Sequence, residues 1–457
     1  MEGSAQQITG PAELERYLAA HPKTRYIDAI FIDLCGIVRG KRYPRADLDK
    51  LYRSGLQIPY SVYLLDVTGD SSDPCGRGFS DGDPDGTAMP VPGTLVPVPW
   101  ATESCGQVLM TLNDNAGRPS IWDPRNVAAR AAAKFAETGL RPVMAFELEF
   151  YLLDRARDAQ GRPQAPVLPS TGERDASTQV YSIELLDDFA AFFGEVEDAA
   201  AVQQVPASVA TAEFAPGQYE INLRHVDDPL AAADHCALLR NIVRRVAGRH
   251  GLEATFMSKP FADRTGNGTH VHVSLLDAAG NNVFDDGSDL GSETLRHAIG
   301  GLAATMPEAM AIFAPNVNAF RRFGLNLFTP VTKSWGANNR SFAFRIPAGG
   351  GNARRIEHRI AGADANPYLV LAAVLAGLHH GITNKIDPGP PWDGNASESA
   401  DPDIPRRLGT ALARLEAGEI LPDYLDPTYT ATYCATKRNE LEKFNAAITP
   451  REYEWYL

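Results

Sequence analysis

Residues 143–154 read VMAFELEFYLLD, and this stretch decides the fold because it is a strand with two unlike faces. Side chains alternate along a strand, so Glu147 and Glu149 point to one face and the hydrophobic side chains around them point to the other. Two carboxylates on one face repel each other unless a cation lies between them. The stretch therefore predicts a sheet with a polar, chemically active face.

Three later segments repeat this pattern of one polar and one apolar face: 219–224 (YEINLR), 269–275 (THVHVSL) and 355–360 (RIEHRI). Their polar faces carry, in that order, Glu220, Asn222 and Arg224; His270, His272 and Ser274; and Arg355, Glu357 and Arg359. One such strand is usually just the solvated face of an antiparallel sheet. Four strands rich in Glu, His and Arg instead indicate a site for a metal and a phosphate.

The residue types on these strands indicate which cation and which anion the site could bind. Carboxylates with a single imidazole suit Mg²⁺ or Mn²⁺ better than Zn²⁺. Neighbouring arginines suit a polyanion such as the γ-phosphoryl group of ATP. The Gly-rich segments 266–268 (GNG) and 348–352 (AGGGN) do not continue into a P-loop, and no GxGxxG follows a strand. Any nucleotide must therefore be held in another way.

Composition excludes several classes of protein. With 457 residues the chain exceeds the roughly 250–300 residues of a single core. Its formal net charge of -14 disfavours nucleic acid and anionic membranes as partners. No apolar run approaches the ~20 residues of a membrane span, and residues 1–20 show no signal peptide. The five cysteines are scattered and lack CxxC spacing, which favours a reducing cytoplasm.

Periodicity along the chain predicts an alternation of strands and helices. Helices are expected at 12–20, 46–55, 124–138, 406–417 and 436–446; a strand at Tyr26–Val38 that ends in a Gly-containing turn; loops with short strand fragments at 69–100; and a polar loop at 388–405. A second region of the chain is expected to begin near Asp123.

A series of motifs resembles the glutamine synthetase superfamily over nearly the whole chain. In order, they are FELEFYLLD (146–154), EFAPGQYE (213–220), GNGTHVHVSL (266–275), NAFRRF (318–323), NNRSFAFRIP (338–347) and RRIEHRIAGADANPY (354–368). The resemblance implies an α+β fold, with an N-terminal β-grasp domain over 1–118 and a catalytic domain over 119–457. The catalytic domain would hold a curved antiparallel sheet surrounded by helices. A homododecamer of two stacked hexameric rings is also implied.

The resemblance also implies roles for individual residues. Glu149, Glu213 and Glu220 match the ligands of a metal near glutamate and the amine, and Glu147, His270 and Glu357 match those of a metal on the ATP phosphates. His272 and Ser274 match positions beside the nucleotide. Arg322, Arg340, Arg345, Arg355 and Arg359 match arginines that hold glutamate and stabilise phosphoryl transfer, with Arg340, Arg345 and Arg355 toward the nucleotide. Gly266 lies in the glutamate-binding loop, and two or more Mg²⁺ or Mn²⁺ ions are expected with ATP as co-substrate.

The reaction implied by the family has two steps. The γ-carboxylate of glutamate attacks ATP to give γ-glutamyl phosphate, and an amine then displaces phosphate to give a γ-glutamyl amide. In-line positioning and charge stabilisation do most of the work.

Two departures from the family pattern concern the amine. Where ammonia-using members carry a flap glutamate, six residues after Arg322, this chain has Phe328, and no acid occurs from 321 to 332. The family's Asp-Gly-Ser-Ser stretch is replaced by IPYSVYLLDVTG at 58–69. A benzyl group cannot accept a proton from ammonium, but it offers an apolar or cation–π surface to a larger amine.

The sequence is most similar to the γ-glutamylpolyamine synthetase (glutamate–putrescine ligase) group, through AFELEFYLLD, STQVYSIELLD and AGADANPYLVLAAVLAG. The expected substrates are glutamate, ATP and putrescine or another polyamine, in polyamine catabolism. Ligases for monoamines such as isopropylamine or ethanolamine remain an alternative, as does glutamine synthetase using ammonia. A structural family member without activity and a nucleotide-binding regulator without turnover are further alternatives.

Overall fold

The structure is a computed structural model that describes residues 10–457. Helices and strands alternate as follows: α1 (Pro11–Ala20), β1 (Tyr26–Ile32), β2 (Val38–Pro44), α2 (Leu48–Ser54), β3 (Leu56–Pro59), β4 (Asp85–Pro90), β5 (Val96–Pro97), β6 (Cys105–Asn113), α3 (Pro124–Ala133), β7 (Arg141–Asp154), α4 (Ile183–Asp188), α5 (Ala190–Val202), β8 (Ala207–Ala212), β9 (Gln218–Leu223), α6 (Pro229–Arg249), β10 (Leu252–Thr255), β11 (Thr269–Leu276), α7 (Glu293–Phe313), β12 (Trp335–Ala337), β13 (Phe344–Ile346), β14 (Ile356–His358), α8 (Pro367–Asn384), α9 (Leu408–Glu416), α10 (Leu421–Leu425), α11 (Pro427–Ala446) and α12 (Pro450–Tyr456).

These strands form two sheets, in agreement with the predicted α+β class. The first has the order β2-β1-β6-β4-β3, with β5 on β6, and only its β1–β6 pair is parallel. The second has the order β12-β13-β14-β11-β7-β9-β8, with β10 on β7. All its pairs are antiparallel except β12–β13. The long strand β7 lies in the middle of the second sheet and carries the two carboxylates that the sequence singled out.

The predicted strand over Tyr26–Val38 is wrong at its C-terminal end, where the chain turns back between β1 and β2. Asp33 makes this turn, because its Oδ1 accepts the backbone N–H groups of Cys35 and Ile37, each at 2.9 Å. Gly36 follows with a φ of 76°, a conformation that glycine adopts without strain. Asp side chains commonly close turns in this way.

The other predicted elements are present with shifted ends. The helices at 12–20, 46–55, 124–138 and 406–417 correspond to α1, α2, α3 with a following 3₁₀ turn, and α9. The helix predicted at 436–446 begins earlier, because Asp426 caps α11 by accepting the N–H of Thr428 at 2.8 Å. The polar loop at 388–405 contains a single 3₁₀ turn, Ala396–Glu398.

Helix α8 forms the centre of the core. Every residue from 367 to 379 is buried, which is expected of a helix that is apolar on all sides. It packs closely on α7, where a Cβ atom at Gly301 would lie only 2.0 Å from the carbonyl oxygen of Gly377. Glycine at this crossing therefore lets the two helix backbones touch.

Asn366 starts α8 and also joins it to the first sheet. Its Oδ1 accepts the N–H of Tyr368 at 2.9 Å, which caps the helix. Its Nδ2 donates to the carbonyl oxygen of Asp33 at 2.8 Å. One side chain thus connects the β1–β2 turn to the core of the second region.

Within residues 10–457, no helix combines the length and the apolar character that crossing a membrane requires.

Candidate active site

Strand register brings the four predicted polar faces onto one surface. Glu147 on β7 lies opposite His270 on β11 and opposite Asn222 on β9. On β14, Glu357 lies opposite His272 of the neighbouring β11. The polar side chains therefore converge because the pairing of strands aligns residues from distant parts of the sequence.

Glu147 is at the centre of a carboxylate and imidazole cluster. Its Oε2 lies 3.2 Å from His270 Nδ1, and its Oε1 lies 2.8 Å from His272 Nε2. His270 Nδ1 is also 3.8 Å from Glu357 Oε1. Two groups have ligand atoms within 4.8 Å of one another: Glu147 with His272 and Glu357, and Glu147 with Glu220 and His270.

The other two predicted ligands, Glu149 and Glu213, lie outside those two groups. Glu149 stands opposite Glu220 in the β7–β9 pair, and its Oε2 accepts the N–H of Gly268 at 2.5 Å. Glu213 follows β8, and its N–H donates to the carbonyl oxygen of Gln218 at 2.8 Å. Glu149 is thus held against the loop before β11.

The charges of these acids are strongly interdependent. Burial, followed by repulsion from Glu147 and Glu149, raises the pKa of Glu220 to about 10. Burial and the charge of Glu149 raise the pKa of Glu213 to about 7. Burial alone would raise the pKa of Glu147 as well, but the imidazoles of His272 and His270 lower it below its ordinary value.

This donor set fits a divalent cation. Burial would raise the pKa of Glu357, but Arg359, His270 and His272 lower it to about 2, so it stays anionic. Several buried oxygen donors with one or two imidazoles match the preference of Mg²⁺ or Mn²⁺ for hard ligands. The repulsion that raises the pKa of Glu220 is the repulsion that a bound cation would relieve.

Arginines surround the Glu357 side of the cluster. Arg345 Nη1 donates to Glu357 Oε2 at 2.6 Å, and Arg359 also forms an ion pair with Glu357. Arg355 Nε donates to His272 Nδ1 at 2.9 Å, which leaves the Nε2 atom of that ring facing Glu147. These guanidinium groups make this end of the site suitable for a polyanion.

Two further predicted arginines lie on other parts of the site. Arg340 is exposed, and its charge acts on Glu213. Arg322 is buried, which lowers its pKa, and its Nη1 donates to the carbonyl oxygen of Ile360 at 3.1 Å.

The GNG segment lies directly on Arg322. A Cβ atom at Gly266 would be 2.6 Å from Arg322 Cγ, and one at Gly268 would be 3.0 Å from Arg322 Nη2. A side chain at Gly268 would press on the guanidinium, and one at Gly266 would press on the aliphatic part of Arg322 and on the carbonyl oxygen of Ser258. Close packing against Arg322 therefore explains why glycine stands at both positions, without a phosphate-binding P-loop.

Ser274 contacts backbone, since its Oγ donates to the carbonyl oxygen of Arg354 at 2.9 Å. Asn282 donates to the same carbonyl at 2.7 Å and to that of Gly351 at 3.1 Å, and so holds the Gly-rich loop 349–353. The buried guanidinium of Arg354 donates to the carbonyl oxygen of Ser288 at 2.6 Å. Asn282 and Arg354 were not predicted as site residues from the sequence. The one feature that could have pointed to Arg354 is its position next to Arg355.

Phe328 is 71% exposed and lies on a loop after the 3₁₀ turn that carries Arg322. It forms part of the wall of a cavity of about 260 Å³. The described residues that line this cavity are Asn326, Leu327, Phe328, Asn339, Ser341, Asn395 and Ser397.

Comparisons with known proteins agree with this arrangement. The family "Glutamine synthetase, catalytic domain" matches residues 122–456. The chain is 42% identical to the gamma-glutamylputrescine synthetase PuuA of Escherichia coli K12, over 97% of this chain and 94% of that protein. It is 33% identical to a glutamate–isopropylamine ligase of a Pseudomonas species, over 93% of each chain.

A solved structure, that of GmaS without ligand, superposes with a TM-score of 0.82 at 30% identity, over 96% of this chain and 98% of that one. The predicted resemblance and the α+β fold are confirmed by these matches. The chain therefore belongs to the glutamine synthetase family of ligases, as the order of its strand motifs predicts.

Proposed function

We propose that this protein joins glutamate to an amine, putrescine or another polyamine, in an ATP-dependent reaction that passes through γ-glutamyl phosphate. The observation that carries the proposal is the convergence of Glu147, His270, His272 and Glu357 on one sheet face, bordered by arginines. The similarity to a gamma-glutamylputrescine synthetase and to a glutamate–isopropylamine ligase supports an amine larger than ammonia.

The proposed cofactor is Mg²⁺ or Mn²⁺, with two or more ions in each site. Glu147, His270 and Glu357 would hold the ion on the ATP phosphates, and Glu149, Glu213 and Glu220 the ion toward glutamate and the amine. When bound, a divalent ion supplies positive charge that offsets the charge of the triphosphate and orients it.

The chain's own side chains would position the two substrates. Arg322 and Arg359 would bind glutamate beside the loop of Gly266, and the γ-carboxylate oxygen then attacks the γ-phosphorus as ADP leaves. Arg340 would stabilise the charge on the transferring group. His272, Ser274, Arg345 and Arg355 would face the nucleotide.

In the second step the uncharged amine nitrogen attacks the acyl carbon, the bond to phosphate breaks, and the proton that the nitrogen loses leaves with the phosphate. Phe328 cannot accept a proton or screen charge, so it favours an amine that brings carbon atoms to its ring. A γ-glutamyl monoamine ligase is the second candidate, because the described residues lining the cavity at Phe328 include no carboxylate to pair with a second ammonium group. Glutamine synthetase activity with ammonia is the least favoured alternative.

Three further properties belong to this proposal. The catalytic domain is proposed to begin at residue 119, which is supported by the end of β6 at Asn113. A homododecamer of two stacked rings is proposed from family membership, and the mass of the native assembly tests it. Action in the cytoplasm is proposed because the five cysteines are free.

The decisive experiment measures phosphate release with glutamate, ATP and Mg²⁺ across ammonia, putrescine, spermidine, ethanolamine and isopropylamine, with the product identified by mass. We expect the highest specificity constant with putrescine or another polyamine. A maximum with ethanolamine or isopropylamine would move the assignment to the second candidate. A maximum with ammonia would overturn the amine assignment, and no release with any amine would overturn the ligase proposal.

A further inference from the structure

The polar face of β7 and β9 extends one step beyond the acids of the candidate site. Residues directly opposite each other on antiparallel strands lie on the same face of the sheet. Along these two strands the opposed pairs are, in order, Glu147 with Asn222, Glu149 with Glu220, and Tyr151 with Gln218. The third pair therefore adjoins the two opposed carboxylates, although neither of its members was among the predicted site residues.

Tyr151 and Gln218 both bind the loop that contains the GNG segment. The hydroxyl of Tyr151 donates to the carbonyl oxygen of Thr265 at 2.7 Å. Gln218 Nε2 donates to the carbonyl oxygen of Gly266 at 3.0 Å and to Asn267 Oδ1 at 3.1 Å. Gln218 Oε1 accepts the hydroxyl of Thr265. One cross-strand pair, the Tyr151–Gln218 clamp, thus holds three consecutive residues of the loop.

The clamp side chains are buried and their donors are already used. Gln218 is only 3% exposed, and Tyr151 has no exposed surface. An amide nitrogen carries two hydrogen atoms, and both of those on Gln218 Nε2 are donated to the loop. The carbonyl oxygen of Gly266 can only accept, which fixes the orientation of this amide. The clamp therefore reaches a ligand only through the loop.

The loop in turn contacts two groups of the site. Gly268 exchanges two hydrogen bonds with Glu149: its N–H donates to Oε2 at 2.5 Å, and its carbonyl oxygen accepts the Glu149 N–H at 3.1 Å. Gly266 packs so closely on Arg322 that a Cβ atom there would lie 2.6 Å from Arg322 Cγ. A shift of the loop therefore disturbs both the acid on β7 and the buried guanidinium.

We propose that Tyr151 and Gln218 are positioning residues, which fix the glutamate-binding loop relative to the acids of β7 and β9. This inference rests on the proposed function, which assigns Gly266 and Arg322 to glutamate. When a ligand binds only one arrangement of a loop, its apparent affinity falls with the fraction of molecules in that arrangement. Loss of the clamp therefore weakens glutamate binding, whereas the complex that does form keeps most of its turnover rate.

The first variant, Gln218→Met, keeps the length of the side chain and removes its hydrogen bonds to the loop. We expect the KM for glutamate to rise about tenfold, the effect of about one net hydrogen bond. The kcat should stay within about threefold and the KM for ATP within about twofold. Gln203→Met is the matched control, since Gln203 is also buried and its Nε2 donates to the carbonyl oxygen of Pro97 at 3.1 Å, outside the site.

The second variant, Tyr151→Phe, keeps the buried ring and removes only the hydroxyl that binds Thr265. We expect a rise of about threefold in the KM for glutamate. Tyr433→Phe is its control, because it removes a buried hydroxyl that donates to the carbonyl oxygen of Ala311 at 2.8 Å. Since Tyr151→Phe preserves packing, it decides the question if Gln218→Met does not fold. A wild-type KM for glutamate in the active clamp variants overturns the proposal.

Amide hydrogen exchange of the ligand-free proteins tests the clamp without turnover. Faster exchange confined to peptides covering 262–268 in the clamp variants, with both controls like wild type, supports the proposal. Faster exchange throughout β7 and β9, with equal rises in the KM for glutamate and for ATP, shows a general loss of stability and overturns it. If wild type releases no phosphate with glutamate, the proposed function fails and the glutamate role of the clamp with it; an unchanged KM in active variants overturns the clamp alone.

Discussion

Arg345 and Glu357 stand directly opposite each other on β13 and β14, and Arg345 Nη1 lies 2.6 Å from Glu357 Oε2. The pair is almost completely buried, with 13% of the arginine side chain and 2% of the glutamate side chain exposed. Removing one member of a buried pair leaves an uncompensated charge. Glu357 therefore forms ion pairs with the guanidinium groups and would also be a ligand of any cation in the site.

Glu357→Gln should reduce turnover by at least about 100-fold, because it removes an anionic ligand and a partner of Arg345 and Arg359. Glu147→Gln should act alike. Phosphate release at saturating Mg²⁺ measures the effect, and Glu293→Gln, at an acid whose side chain is 78% exposed on α7, is the control. Wild-type rates from either site variant would show that these acids are not ligands.

Binding of Mg²⁺ at pH 7 should release protons. Burial and neighbouring carboxylates raise the pKa of Glu220 to about 10 and that of Glu213 to about 7, so at pH 7 without a cation Glu220 carries a proton and Glu213 is about half protonated. A rise in pH removes the Glu213 proton beforehand, so Mg²⁺ affinity should increase from pH 6 to pH 8. Calorimetry in two buffers of different ionisation enthalpy counts the protons; a count of zero contradicts this prediction.

Asn282→Ala should raise the KM for ATP several-fold and change the KM for glutamate much less. Asn282 is a positioning residue, since its amide holds the carbonyl groups of Gly351 and Arg354 and thereby the loop next to Arg355. Steady-state kinetics with each substrate varied separates the two constants. Asn281→Ala changes the exposed neighbour, which bonds to Asp277 instead, and serves as the matched control.

Asp66→Asn should destabilise the protein at pH 7 by about 1–3 kcal/mol. Burial would raise the pKa of Asp66, but Lys443 at 2.6 Å, together with Thr68 and the N–H of Asp70, lowers it to about 2. The stabilisation is thus present above the ordinary aspartate pKa of about 4 and is lost as pH falls through about 2. Denaturant unfolding at several pH values should show the variant and wild type converging as the pH approaches about 2; a constant difference would contradict the assignment.

The polar faces were predictable from sequence because the alternation of side chains along a strand is a local property. Glu147, Glu149, His270 and Glu357 could each be assigned to a face from their neighbours alone. The residue at which β1 ends could not, because the β1–β2 turn depends on the hydrogen bonds of Asp33.

Contacts that depend on strand register could not be predicted from the sequence either. The 2.8 Å approach of His272 to Glu147 depends on the pairing of β11 with both β7 and β14. Asn282 lies in a turn without periodicity, so only its distances to Gly351 and Arg354 reveal what it does. The membership of the two ligand groups likewise required coordinates.

The two hydrogen-bonding roles of the Asn366 side chain restrict how the first sheet can move relative to α8. Its amide oxygen starts α8, and its amide nitrogen holds Asp33 in the first sheet. The turn at Asp33 cannot move away from α8 without either rotating this amide out of its capping position or breaking the bond to Asp33. Displacement of the N-terminal sheet is thereby coupled to fraying of the first turn of the most deeply buried helix, which makes this joint stiff.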